Sequence, residues 1–147
     1  MTLKQACAYL RKDKVILGPV SVTTAGVGVA VEPFLCIEVE DIGKLGKGVL
    51  ATLEKSQHGV PHPQQDQWKA LLAPMLKAAG VKSWSSFAKS AKCVAIRFEA
   101  NRVLFQPLRN LGPRGGFEEL PSERARTSVP TDLEVGSTLL AAFADAE

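Results

Sequence analysis

The chain has 147 residues, is 46% hydrophobic and 22% charged, and carries a net charge of +3, which excludes a disordered or low-complexity protein and predicts one globular domain, 1–147. No apolar run approaches the roughly 18 residues of a membrane span, and M-T-L-K-Q-A-C-A-Y-L-R-K lacks the unbroken apolar core of a secretory signal. Cys7, Cys36 and Cys93 are odd in number, far apart and without paired spacing, so the expectation is reduced thiols in the cytoplasm, not a disulfide framework or a zinc site.

Along the chain, Thr2 to Lys12 reads as a short helix capped by Thr2, with Leu3, Cys7 and Leu10 as its apolar stripe. V-I-L-G-P-V-S-V-T-T and V-G-V-A-V bracket a T-A-G turn and predict a hairpin. After Pro33, F-L-C-I-E-V-E-D is a further β-rich segment. Asp41 then caps a helix from Ile42 to Ser56, with Ile42, Leu45, Val49 and Leu53 on one face. Gly43, Gly46 and Gly48 each cost that helix about 1 kcal/mol relative to Ala. Their plain use is a close helix–sheet approach.

A third helical block covers Asp66 to Ala79, with Trp68, Leu71, Leu72, Met75 and Leu76 on its apolar face. Pro74 inside it predicts a kink or a division into two helices, and Gly80 ends it. Ser83 caps a short W-S-S-F-A-K helix whose Trp84 and Phe87 point inward. C-V-A-I-R-F-E-A-N-R-V-L-F-Q-P-L-R is the clearest hairpin: Val94, Ile96 and Phe98 share a face and Ala100-Asn101 makes the turn. Residues 110–126 read as a long loop, or a loop holding one short strand. Thr131-x-x-Glu134 is a capping box that opens a last helix with Leu133, Leu139, Leu140 and Phe143. The expected class is α+β, one mixed or antiparallel sheet packed with several helices.

Charge is unevenly distributed. Residues 1–66 carry seven basic and seven acidic side chains. Between Gln67 and Phe117, nine Lys/Arg face the single acid Glu99, whereas from Glu118 onward seven acids oppose only Arg124 and Arg126. A charged partner is one reading of this asymmetry. Helix faces that merely solubilise the protein are the other.

Candidate chemistry is sparse. His58 and His62 are four apart, as in helical zinc pairs, but Gly59 and Pro61 lie between them and Pro63 comes next, so no helix runs through. The nearest acid is Asp66, and too few ligands surround the pair for a metal. A stiff joint, with imidazoles bonded to neighbouring backbone, is the stronger reading. L-R-N-L-G-P-R-G-G-F, with Arg109 and Arg114, resembles a phosphate cradle in composition but fits neither G-x-G-x-x-G nor G-K-[ST] and precedes no helix. The acids Glu38, Glu40 and Asp41 are drawn off by helix capping and strand alternation. No G-x-S-x-G is present, and no cysteine lies in a protease context. The expectation is therefore no catalytic residue, no metal and no cofactor: a binding protein. The basic stretch 67–117 leaves an RNA-binding module as the alternative. Phe98, however, has the spacing of core, and the pI of about 8.8 is low for a committed nucleic-acid domain.

K-G-V-L-A-T-L-E-K-S-Q-H-G-V-P-H-P, W-K-A-L-L-A-P-M-L-K-A-A-G-V-K-S-W-S-S-F-A-K and L-R-N-L-G-P-R-G-G-F-E-E-L-P together resemble bacterial contact-dependent growth inhibition immunity proteins (CdiI), over roughly residues 40 to 147. The resemblance implies a small cytoplasmic protein, not an enzyme, that binds and blocks the cognate CdiA C-terminal toxin domain as a heterodimer. Such toxins are frequently nucleases. It implies no membrane and no direct nucleic-acid partner. One departure is the charge, since immunity proteins against basic nucleases tend to be acidic. The family supplies no transferable contact motif, so the expected toxin-binding residues come from the loop chemistry. Phe117 is read as an exposed anchor beside Glu118, Glu119 and Glu123, with Arg109 and Arg114 on the same loop.

Overall fold

The computed structural model describes residues 3–147, so the predicted Thr2 cap lies outside the described residues. The segment after it is a strand, not a helix. Residues Lys4–Arg11 form β1, with Ala6, Ala8 and Leu10 packed into one layer and Tyr9 into the other. A strand buried on both faces has no polar alternation, and its Leu3, Cys7 and Leu10 coincide with helical spacing.

β1 turns through Lys12-Asp13 into β2 (Lys14–Thr23), with Arg11 opposite Lys14 and Gln5 opposite Val20. Lys12 takes a left-handed φ of 58° to close the turn. On its far edge β2 carries β3 (Gly28–Ala30), reached through the predicted turn, and β4 (Leu35–Glu38). β5 (His58–Val60) runs parallel to its end. The second hairpin, β6 (Lys92–Glu99) and β7 (Arg102–Asn110), turns at Ala100-Asn101, where both residues have positive φ as a two-residue turn requires. β1 pairs antiparallel with β6 and welds the two hairpins into one sheet, with Lys4 opposite Phe98.

Residues 110–126 hold more structure than a loop with one strand. β8 (Phe117–Glu119) pairs with Leu108–Asn110, a 3-10 turn spans Ser122–Arg124, and β9 (Arg126–Ser128) pairs with Val103–Phe105. Between the two pairings, the buried Gln106 amide donates to the carbonyls of Pro107 and Leu120. Three-residue strands are too short to show a period in sequence.

Helices α1 (Ile42–Glu54) and α4 (Asp132–Asp145) cover one face of the sheet. The Asp41 carboxylate accepts the Lys44 N–H at 3.0 Å, as capping predicts. Thr131 occupies the N-cap of α4 but makes no side-chain bond; Asp132 and Glu134 in the first turn complement the helix dipole instead of a capping box. Leu45, Val49 and Leu53 meet Val135, Leu139 and Phe143 over Ala8, Val15, Leu17, Val94, Ile96, Val103 and Phe105. The glycines serve two contacts. A Cβ at Gly48 would strike Ile37 and Leu17 of the sheet, but one at Gly46 would strike the Asp132 backbone and one at Gly136 the Ile42 carbonyl. The approach is thus helix to helix as well as helix to sheet.

The opposite face is only partly covered, by α2 (Trp68–Ala79) and α3 (Trp84–Ala88), over a smaller cluster of Ile16, Met75, Phe87 and Ala91. α2 is one helix straight through Pro74, not two. The hydrogen bond that Pro74 forfeits would have gone to Ala70, which is exposed, so water can take that carbonyl. Gly80 ends α2 at φ 73°, and Ser83 accepts the Ser86 N–H at 3.2 Å. The whole is an α+β fold: a curled, mainly antiparallel sheet of nine strands with four helices among the described residues.

Candidate functional site

The two histidines point to different partners. His58 Nε2 donates to the Leu3 carbonyl at 2.7 Å. Thr23 Oγ1 already accepts from Ala25 and Val27 N–H, so its proton goes to His62 Nδ1, 3.0 Å away. The His62 ring also meets Trp68 edge-on at 5.5 Å. Gly59, at φ 78°, lets the chain turn between them. Among the described residues, no group of three His, Cys, Asp or Glu converges as a metal site would need. His62→Ala is expected to lower stability by about 1 kcal/mol, from the lost hydrogen bond, and chelator treatment to leave the melting temperature of the native chain unchanged. Stoichiometric zinc that disappears in His62→Ala would refute this assignment.

The predicted contact residues lie at one end of the sheet, but several are already occupied. Arg109 bonds Glu118 at 3.0 Å and Glu147 at 3.1 Å, while Glu147 also takes Arg124 at 2.5 Å. Arg126 holds Asp145 at 2.6 Å. Bonds from Arg124 and Arg109 pull the Glu147 carboxyl below the usual carboxylate range, and Arg126 does the same to Asp145. Backbone bonds fix the network, because the Asn110 N–H donates to the Glu147 carbonyl and the Glu147 N–H to the Leu108 carbonyl. Arg114, Glu119 and Glu123 are exposed and, among the described residues, form no ion pair.

Phe117 is not the exposed anchor that its loop suggests. It is half-buried, 5.7 Å from the Tyr9 ring and 6.3 Å from the Trp84 ring. Pairing of β8 with β7 turns it toward the α3 side of the sheet. The Trp84 indole N–H donates to the Pro113 carbonyl at 2.9 Å, and the Asn110 amide donates to the carbonyls of Ala88 and Ala91 while accepting from Gly112 N–H. The glycine-rich loop is therefore tied to α3. Most of the loop's amides turn inward, to the Gly112 and Gly116 carbonyls and the Asn110 side chain, so they do not converge on a phosphate.

Beside that knot lies an apolar cleft of about 290 Å³, walled by Tyr9, Val29, Phe34, Trp68, Leu72 and Trp84. Gly18 leaves room for the Phe34 ring, which a Cβ there would strike. Trp68 remains 38% exposed at its mouth. Beneath, burial pushes the Cys7 thiol up to about 11 and raises the Tyr9 phenol and Cys93 thiol, so all three stay protonated and inert. At the other end of α2, a second cleft of about 450 Å³ is lined by Arg11, Lys12, Lys14, Cys36, Glu38 and Gly80. There the Arg11 Nε is buried with no partner among the described residues. Sequence reasoning misses Tyr9 and Arg11 because their strand carries helical spacing. The basic stretch 67–117 forms no single track: Lys92 donates to the Phe143 carbonyl, Arg102 to Thr127, and Arg109 sits in the network.

A curled, mainly antiparallel sheet with helices on both faces, one of them only partly covered, defines an α+β protein. The chain belongs to CdiI, the CDI immunity protein family, whose model matches residues 38–146. No curated protein matches it in sequence. Among solved structures, a protein of unknown function from Neisseria meningitidis is similar at TM-score 0.82 and 17% identity, over 99% of this chain and 96% of that one. A CdiA-CT/CdiI toxin and immunity complex from Yersinia pseudotuberculosis is similar at TM-score 0.76 and 15% identity, over 100% and 99%. At such identities the likeness concerns the fold. Among the described residues, no helix is long and apolar enough to cross a membrane.

Proposed function

We propose that this immunity protein binds the cognate CdiA C-terminal toxin domain as a heterodimer in the cytoplasm and blocks it without catalysing a reaction. The family match over residues 38–146 carries this reading. Its fold is that of a chain from a toxin and immunity complex, which supports it. The blocked toxin is read as a nuclease, in line with the family's usual partners. The interface has the standard size of about 1,600 Å² and includes the β8 end of the sheet. Glu119, Glu123 and Arg114 are the free charges of that end, Phe117 offers its uncovered edge, and the Arg109–Glu118 pair is presented as a fixed unit.

Co-expression with the toxin domain should rescue growth, and the two proteins should copurify. Reversing Glu118 and Glu119 to Lys should slow association, because charges that steer encounter act on the on-rate. The Arg109–Glu118 pair is exposed and screened by solvent, so the melting temperature should move little. Failure of the native chain to copurify with the toxin sinks the reading. Unaltered protection by the double variant removes the β8 end from the interface.

A further inference from the structure

Cations outside the β8 end stand at the β1–β2 turn, beside the C-terminal end of α2, with Asp13 and Glu38 among them. The C-terminal network neutralises Arg109, Arg124 and Arg126 internally. By contrast, Arg11, Lys12 and Lys14 line one cleft with no ion pair among the described residues, and the Arg11 Nε is shielded from water yet unbonded. Arg11 lines this cleft with Lys12 and Lys14 beside it, and a guanidinium fork flanked by ammonium groups suits a carboxylate. At the other end of the same helix, the Tyr9–Trp68–Trp84 cleft is apolar and open. α2 itself buries only Met75 fully, and Trp68 stands at the cleft mouth.

We propose that the toxin domain lays an acidic segment along α2, one apolar side chain entering the Tyr9–Trp68–Trp84 cleft and one carboxylate meeting Arg11 and Lys14. This rests on the immunity reading above and adds the chemistry of the toxin surface. Phe117, which touches both Tyr9 and Trp84, joins this flank to the β8 end, so the footprint is continuous. It has a positive end and a negative end, and that polarity fixes the orientation of the partner.

RNA suits the flank less well. Asp13 and Glu38 stand among its cations, so a phosphate backbone with a charge on every nucleotide would meet them, whereas a single carboxylate can sit on Arg11 and Lys14 and the protein around it can offer lysines to the two acids.

The test measures binding of the purified cognate toxin domain to the native chain, to Arg11→Glu, to Lys12→Glu/Lys14→Glu and to Trp68→Ala, with melting curves for each. Lys12 and Lys14 are exposed, so that pair reports even if Arg11→Glu fails to fold. The expected result is an affinity loss of about tenfold or more for each folded variant, the size typical of central contacts. For the charge variants the loss should appear chiefly as slower association, and the gap to the native chain should narrow as salt is added. If the native chain does not bind the toxin, the immunity reading itself fails. If it binds and all folded variants bind equally well, the α2 flank is not the docking surface. A tRNA mobility shift that is present in the native chain and lost in Lys12→Glu/Lys14→Glu would assign the flank to nucleic acid and overturn the proposal.

Discussion

Gly46→Ala should destabilise the protein by about 3 kcal/mol, the upper range for overpacking a close contact, although alanine alone would favour the helix by about 1 kcal/mol. The added methyl would sit on the Asp132 carbonyl and Cα, which are backbone atoms at the first turn of α4 and cannot rotate away. α1 and α4 would have to separate, and the Leu45–Leu139 core layer between them would open. Gly43→Ala is the internal control, because a Cβ there meets only the Leu133 side chain at 3.7 Å, an ordinary contact. It should be neutral or stabilising by up to about 1 kcal/mol. Urea unfolding of the two variants separates the cases, and an equal loss in both would show that helix–helix distance is not what Gly46 protects.

The second large effect concerns Asn110. Its amide donates to Ala88 at 2.7 Å and Ala91 at 2.8 Å, and its carbonyl accepts from Gly112 at 2.8 Å. Asn110→Ala deletes all three bonds and strands their partners on buried Ala88 and Ala91 and half-buried Gly112. At about 1 kcal/mol for each lost bond, the cost is about 2–3 kcal/mol. The consequence is also local, since α3 and the loop carrying Arg114 lose their tie. Hydrogen exchange should rise in residues 84–91 and 111–116 before it rises in β6. Toxin association should slow with it, because a mobile loop must be ordered on binding. Protection in those segments that remained native-like would mean that Trp84 and Pro113 suffice to hold them.

The sequence is most legible where one residue does one job. Asp41 and Ser83 announce their helices, Gly80 ends one, and Ala100-Asn101 turns a hairpin, each by local chemistry that neighbours do not override. β1 misleads because its small residues are buried on both sides, so Ala6, Ala8 and Leu10 contrast with nothing polar. Pro74 misleads because its penalty depends on whether the Ala70 carbonyl can reach water, a tertiary fact. The candidate site is half legible. The charges at residues 109–126 are visible, but their pairing with Asp145 and Glu147 joins segments remote in sequence. Phe117 cannot be placed without knowing that Tyr9 lies in a strand beside Trp84. The unpaired Arg11 is a property of three elements meeting, and no spacing rule announces it.

β1 lies in the middle of the sheet and is synthesised well before β6, yet its Cys7 pairs with Ala95 of that strand. A ribosome adding ~5–20 residues per second releases the β1–β2 hairpin several seconds before the strand that flanks it. Over that interval β2 can recruit β3 and β4, and α1 can cover one face, but β1 keeps an open edge of unpaired amides. Pairings this distant in sequence are also slow to close. The strand that holds the finished molecule together is thus, in the life of each new chain, the one left longest without its neighbour.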